Sequence, residues 1–207
     1  SDLDKPLRQG QQRYHHLVLQ SNKDDAQVTV NLSSEELQER YQGQLQPVMV
    51  GPLSNLLAKV FKVLSGKKVF IPGNFRSDRG AHAVKCALRA NEGLLYPLEK
   101  SFIFIHKPPV LIRFSDIESV EFQRFAGAAA GAAGRSFDLA VSLKQAAGDA
   151  SKEYVFSGID RAEYKHLYEF LQGKNLRIKN IQEDDSAPQS LLQEIDQQMT
   201  ASDERLM

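Results

Sequence analysis

The sequence predicts a mainly β protein with capping helices, an α+β fold made of two related strand-then-helix modules in tandem. Three observations carry this. Short β-branched and aromatic segments separated by polar turns fill most of the chain, an amphipathic helix follows each group of strands, and both helices end on Gly-Lys-x-aliphatic-x-Ile, at Gly66 and again at Gly173. The offset between the two glycines is about one small domain, as expected of a tandem repeat.

The elements follow in order. Residues 13–20 (RYHHLVLQ) and 27–32 (QVTVNL) read as strands separated by the polar turn SNKDDA, either a hairpin or adjacent strands. Ser33 with Glu36 three residues on forms a capping box for a short helix that places Leu37 and Tyr41 on one face. Gly51 and Pro52 open a stronger helix, with Leu53, Leu56, Leu57, Val60, Phe61 and Leu64 on its apolar side and Gly66 as a left-handed cap. Seven strands are then expected at 82–89, 93–98, 101–106, 110–114, 117–124, 136–143 and 153–157. Asp160 caps a last helix whose Tyr164, Leu167, Tyr168 and Leu171 share a face and which stops at Gly173. Seven short antiparallel strands and one helix suggest a curved sheet or barrel with the helix filling an open end. Only two strands precede the first helices, so that module is expected to lack about four strands and to be marginal alone.

Length and composition remove several classes. The 207 residues are 42% apolar and 25% charged, which disfavours disorder, collagen and a disulfide scaffold. No apolar run approaches the ~20 residues needed to cross a bilayer, and the start SDLDKPLRQG has no signal-peptide core, so the chain is expected to be intracellular. A lone cysteine, Cys86, makes neither an internal disulfide nor a thiolate cluster, and within an alternating strand it reads as a small buried hydrophobe. His15 and His16 are adjacent on a strand and point to opposite faces, one expected inward and one outward, and the five histidines show no metal-ligand spacing. The run Gly127–Ser136 has glycines but lacks P-loop spacing, carries Arg where Lys is needed, and leads into a strand; it reads as a long flexible hairpin loop. Neither a nucleophile elbow nor a carboxylate pair emerges, so no enzyme, cofactor, metal or small-molecule substrate is expected.

Zero net charge conceals a strong asymmetry. From Lys59 to Arg89 five Lys and three Arg face Asp78 alone, a net +7, while residues 180–207 carry seven carboxylates against Arg205, a net −6. A basic surface beside an acidic tail attracts polyanions while the tail competes for the same surface. Within the tail, Leu191, Leu192, Ile195 and Met199 form a short amphipathic pattern that could dock on the folded modules or on a partner, or fray in solution.

The run Asn91–Pro109 (NEGLLYPLEKSFIFIHKPP), with VFIPGNF at 69–75, IRFSDIESVEF at 112–122, RSFDL at 135–139, FSGIDRAEY at 156–164 and RYHHLVL at 13–19, resembles the structure-specific recognition protein family, the smaller subunit of the FACT histone chaperone. The likeness spans residues 3–180 in order. It implies the family's middle domain, two tandem pleckstrin-homology modules, with several further strands before the position matching Leu3. The expected organisation is therefore 1–66, the C-terminal part of a first module; 67–180, a second module; and 181–207, an acidic tail expected to be mobile. The resemblance further implies a nuclear, chromosome-associated histone chaperone that supports nucleosome reorganisation in transcription, replication and repair. Its implied partners are core histones as the tetramer, the larger FACT subunit, DNA, and replication protein A. For the DNA and histone contact the candidates are Lys67, Lys68, Arg76, Arg79, Lys85 and Arg89, expected to form one positive patch near the module junction. Two alternatives stand beside this reading: a scaffold that contacts replication or transcription factors without touching histone, and, by fold analogy, phosphoinositide binding. The loop that would serve lipid, Ala90–Gly93, is acidic, which disfavours the latter.

Overall fold

Most strands after residue 82 bury one side, β10 buries both, and the buried residues close on a core. The computed structural model describes residues 2–22, 24–105, 107–124, 135–144 and 152–179. The chain divides into two units, Ser1–Ile71 and Pro72–Met207.

In the first unit β1 (Asp2–Gln9) and β2 (Gln12–His16) form an antiparallel hairpin, with Leu7 opposite Tyr14 and both exposed. β3 (Asp25–Thr29) pairs antiparallel with β4 (Val48–Pro52). Between them lies α1 (Ser34–Tyr41), and both halves of the Ser33–Glu36 capping box are present. α2 (Leu53–Ser65) follows, with Gly66 in the left-handed region at φ 65°. Leu37, Leu45, Met49 and Leu56 form a small core flanked by Val28, Val30, Leu32, Tyr41, Val60 and Val63.

Two expectations are corrected here. The segments at 13–20 and 27–32 do not pair with each other: each has a separate partner, β1 and β4, that the sequence reading did not count as strands. Gly51 and Pro52 belong to β4, and the helix opens at Leu53 with Pro52 as its N-cap. The apolar side of α2 is only partly covered, since Phe61 and Leu64 remain 45% and 54% exposed.

The second unit is a seven-stranded antiparallel sheet in the order β8-β7-β6-β5-β11-β10-β9. Its strands are β5 (Val84–Leu88), β6 (Asn91–Pro97), β7 (Ser101–Ile105), β8 (Val110–Arg113), β9 (Ile117–Gln123), β10 (Ser136–Leu143) and β11 (Glu153–Asp160). All seven expected strands are present. Inward residues Val84, Leu95, Phe102, Phe104, Val120, Phe137, Leu139, Phe156 and Ile159 form the core. α3 (Tyr164–Gly173) buries Tyr164, Leu167, Tyr168 and Leu171 in it. Tyr164 packs on Phe122 of edge strand β9 at 4.7 Å, and Phe170 packs on Phe114, just beyond edge strand β8, at 6.1 Å. The helix thus packs against residues at both edges of the sheet.

Asp160 accepts from the Ala162 N–H at 3.0 Å, and so caps a 3₁₀ turn (Arg161–Glu163) that runs into α3. α3 stops at Gly173 as read, but Gly173 is not its left-handed cap. The left-handed residue is Asn175 (φ 56°), and the Asn175 and Leu176 N–H groups reach back to the carbonyls of Gln172 and Leu171, a Schellman closure. An Asn side chain tolerates this conformation, so the two-helix echo in sequence does not correspond to equivalent caps. Beyond it, Ile178 bridges Val120 in parallel, adding a short segment to the β9 edge.

β11 runs three residues longer than the reading at 153–157, through a bulge. Between the pairs Phe137–Ile159 and Leu139–Phe156, one β10 residue, Asp138, faces two on β11, Ser157 and Gly158, and Gly158 at the bulge has φ 70°. Asp138 opposite it accepts from the Gly158 N–H at 2.9 Å and from Arg124 in two bonds of 2.5 Å each. Burial would raise the Asp138 carboxyl, but the Arg124 and Gly158 donors outweigh it and hold it below the ordinary carboxylate range.

Candidate functional site

The six candidate cations fall in three places. Lys67 and Lys68 follow the left-handed cap of α2 in the first unit, and the Lys67 N–H donates to Ser65 Oγ at 3.2 Å. The other four lie in the second unit, Arg76 and Arg79 in the loop before β5, and Lys85 and Arg89 on β5 and the turn that follows it.

That loop is held closed. The Ser77 N–H donates to the Ala81 carbonyl, the Gly80 N–H to the Ser77 carbonyl, and the Ala81 N–H to Ser77 Oγ, with Ser77 itself buried. Asp78 and Arg79 are displayed at its tip. The Asp78 N–H donates to Glu163 Oε2 at 3.0 Å, which brings a carboxylate to the loop that carries Arg79. Burial pushes the Glu163 carboxyl above its ordinary range, and the Asp78 N–H pulls it only partly back. Arg76 is largely committed to the fold: one guanidinium nitrogen donates to the carbonyls of Gly73 and Phe75, at 3.0 and 2.8 Å, and lies 2.8 Å from His82 Nδ1. For that last contact to be a hydrogen bond, Nδ1 must carry the lone pair.

On β5 the alternation turns Val84, Cys86 and Leu88 inward and Lys85 outward. Arg89 occupies the two-residue turn to β6 at φ 56°. The turn is Arg89–Ala90; Asn91, Glu92 and Gly93 belong to β6, with Glu92 opposite Ala87. This corrects the acidic loop read at 90–93. A two-residue turn with one cation gives little to wrap a phosphoinositide headgroup.

Next to Lys85 lies a feature the charge count did not reveal. The outward sides of β6, β7 and β8 share an apolar row, in which Leu94 faces Ile105, Tyr96 faces Ile103, and Ile103 faces Leu111, with Glu92, Ser101 and Arg113 on the same sides. Leu94 is exposed and the rest of the row half-buried. Lys85 opposite Leu94, and Arg113 at the end of β8, bound this row. Its signal was present in GLLYPL and SFIFI, whose unbroken apolar character marks strands with two apolar faces.

Burial pushes the Cys86 thiol up to about 12, the behaviour of a packing residue and not of a nucleophile. His15 is exposed and His16 half-buried, so neither is in the core. Among the described residues no group of three or more His, Cys, Asp or Glu converges as metal ligands, and no helix is long and apolar enough to cross a membrane. The glycine-rich run at 127–134, and the tail with Leu191, Leu192, Ile195 and Met199, lie outside the described residues.

A seven-stranded sheet closed by a C-terminal helix, preceded by a unit of strands ending in its own helix, defines a tandem pleckstrin-homology-like protein. Residues 1–69 match the family model described as the SSRP1 PH domain, and residues 82–180 that of the histone chaperone Rttp106-like middle domain. The FACT complex subunit SSRP1 of Dictyostelium discoideum is 47% identical over 180 residues, 86% of this chain and 33% of that protein. The human FACT complex subunit SSRP1 is 43% identical over 179 residues, covering 86% and 24%, and that of Drosophila melanogaster 42% over 186 residues, covering 89% and 24%. The chain belongs to the structure-specific recognition protein family, and spans a quarter to a third of the length of these relatives.

Proposed function

We propose that this chain is a non-catalytic docking platform of a histone chaperone, binding core histones as the tetramer. The observation that carries this reading is the apolar outer row of β6–β8 bounded by Lys85 and Arg113, on a chain whose relatives are named as FACT complex subunits. An exposed apolar patch rimmed by charge suits a protein partner. The cations at its border suit the DNA that accompanies histone. On this reading the chain works in the nucleus on chromosomes, beside the larger FACT subunit, during transcription, replication and repair, with replication protein A as a further contact.

The DNA half rests on Lys67, Lys68, Arg79, Lys85 and Arg89, with Arg76 contributing less because its guanidinium is engaged with carbonyls. Replacing Arg79, Lys85 and Arg89 by Ala should reduce the slope of log K against log salt on duplex DNA by about 0.9 per lost phosphate contact. An unchanged slope removes these three residues from the DNA contact. A scaffold that joins other factors would use the same apolar row. Titration with histone tetramer separates the two, since only the chaperone reading gives saturable binding.

A further inference from the structure

The basic stretch at 59–89 is not the only part of the chain free of opposing charge. From Lys5 to Lys23 the sequence holds Lys5, Arg8, Arg13 and Lys23 and no Asp or Glu. Most of that run is the hairpin of β1 and β2, a two-stranded sheet. Its turn is Gly10–Gln11, with a positive φ of 60° at the glycine, and it sets the register: Gln9 opposite Gln12, Arg8 opposite Arg13, Leu7 opposite Tyr14.

Alternation sorts these pairs onto two faces. One carries Leu7, Tyr14, Gln9 and Gln12, and there the Tyr14 hydroxyl donates to Gln12 Oε1 at 2.5 Å. The other carries Arg8 directly opposite Arg13, with His15 two residues further along β2. All three are exposed, and among the described residues no ion pair or side-chain hydrogen bond engages either guanidinium.

Like charges at directly opposed positions destabilise a strand pair, and a lone two-stranded ribbon has little stability to spare. Anions seated on the two guanidiniums offset that repulsion, and the guanidinium fork matches phosphate oxygens. The dimensions suit a duplex: strands lie about 4.8 Å apart, and the B-form major groove, about 12 Å wide, admits a two-stranded ribbon. The paired positions of the arginine face hold no apolar side chain, which a protein or lipid partner needs at the centre of its contact. Nucleic-acid interfaces are instead polar and strongly positive.

We propose that the β1–β2 hairpin is a DNA-contacting ribbon, with Arg8 and Arg13 each on a backbone phosphate of a duplex. The contact positions the duplex and does not read its sequence. It uses none of the six cations assigned above and no histone, so either reading can fail alone.

Binding of the whole chain to a short mixed-sequence duplex, measured over a range of salt, tests it. Arg8→Gln with Arg13→Gln should lower the slope of log K against log salt by about 1.8, two contacts at about 0.9 each. The amide signals of core residues Leu37, Met49 and Leu56 should stay in place, which shows the first unit folded. Lys59→Gln with Lys62→Gln, an equal loss of charge from exposed positions of α2, should lower the slope far less. In the parent the duplex should shift the amide signals of residues 7–15. An unchanged slope in the arginine variant overturns the proposal, as does an equal drop in the lysine variant, which marks net charge alone. Shifts at 7–15 produced by an acidic peptide and not by the duplex at the same ionic strength overturn it in favour of a protein ligand.

Discussion

Two glycine-to-alanine exchanges in the second unit should have opposite signs. At Gly93 an added Cβ lies 2.4 Å from the Ile105 carbonyl oxygen and 2.5 Å from Cζ of Phe104, where ordinary contact begins at 3.4 Å. Both obstacles are on β7, one of them backbone and the other a fully buried ring, so β6 and β7 must part by about 1 Å in a close-packed core. Such overpacking costs about 1–3 kcal/mol, while restricting the unfolded chain returns about 0.4–1 kcal/mol, so Gly93→Ala should lose about 1–2 kcal/mol. Gly173 has no atom within 4 Å of its added Cβ and no positive φ. As the last residue of α3, with the left-handed role taken by Asn175, Gly173→Ala should gain about 0.5–1 kcal/mol. Urea denaturation read from the amide signals of Val120, Leu139 and Ile159 reports the second unit without the first. A neutral Gly93→Ala would refute the close approach. A loss of about 1 kcal/mol at Gly173→Ala would show that this glycine is the left-handed cap after all.

Two further outcomes follow from the same unit. Asp138 has its folded pKa depressed below an unfolded value of about 3.9, so its contribution is present at neutral pH and is lost as pH falls through the folded value. Asp138→Asn should therefore lower stability at pH 7 and flatten the acid limb below about pH 4; an acid limb as steep as in the parent would contradict this. Cys86, buried and with its thiol pushed up to about 12, should react with a thiol reagent at pH 8 only as fast as the second unit opens. Rapid reaction in the native chain would contradict that burial.

The second unit was legible because strands such as β5 have one buried face, which writes itself as alternation, while others are short apolar runs bounded by polar turns. Val84-Lys85-Cys86 is an instance of the first and Phe102-Ile103-Phe104 of the second. The first unit hides its strands for the converse reason. DLDKPLRQ pairs in a two-stranded ribbon in which Leu7 and its partner Tyr14 both stay exposed, so it shows no clean alternation, and VMVGP is too short to distinguish from the approach to a helix. Counting charge found the right stretch but overstated the site. Sequence could not show that Arg76 is turned onto carbonyls of its own loop, or that Arg79 sits beside the Asp78–Glu163 contact. Those are tertiary facts. Nor did the count find Leu94, Tyr96, Ile103, Ile105 and Leu111, whose outward row exists only once β6, β7 and β8 are in register.

Titration of the whole chain with purified histone tetramer at moderate salt, followed calorimetrically, tests the docking account most directly. The account predicts saturable heat with a defined stoichiometry, weakened when Leu94 and Ile103 are replaced by Ser and displaced by added DNA. Absence of binding by a folded chain, or binding indifferent to the β6–β8 face, would contradict it.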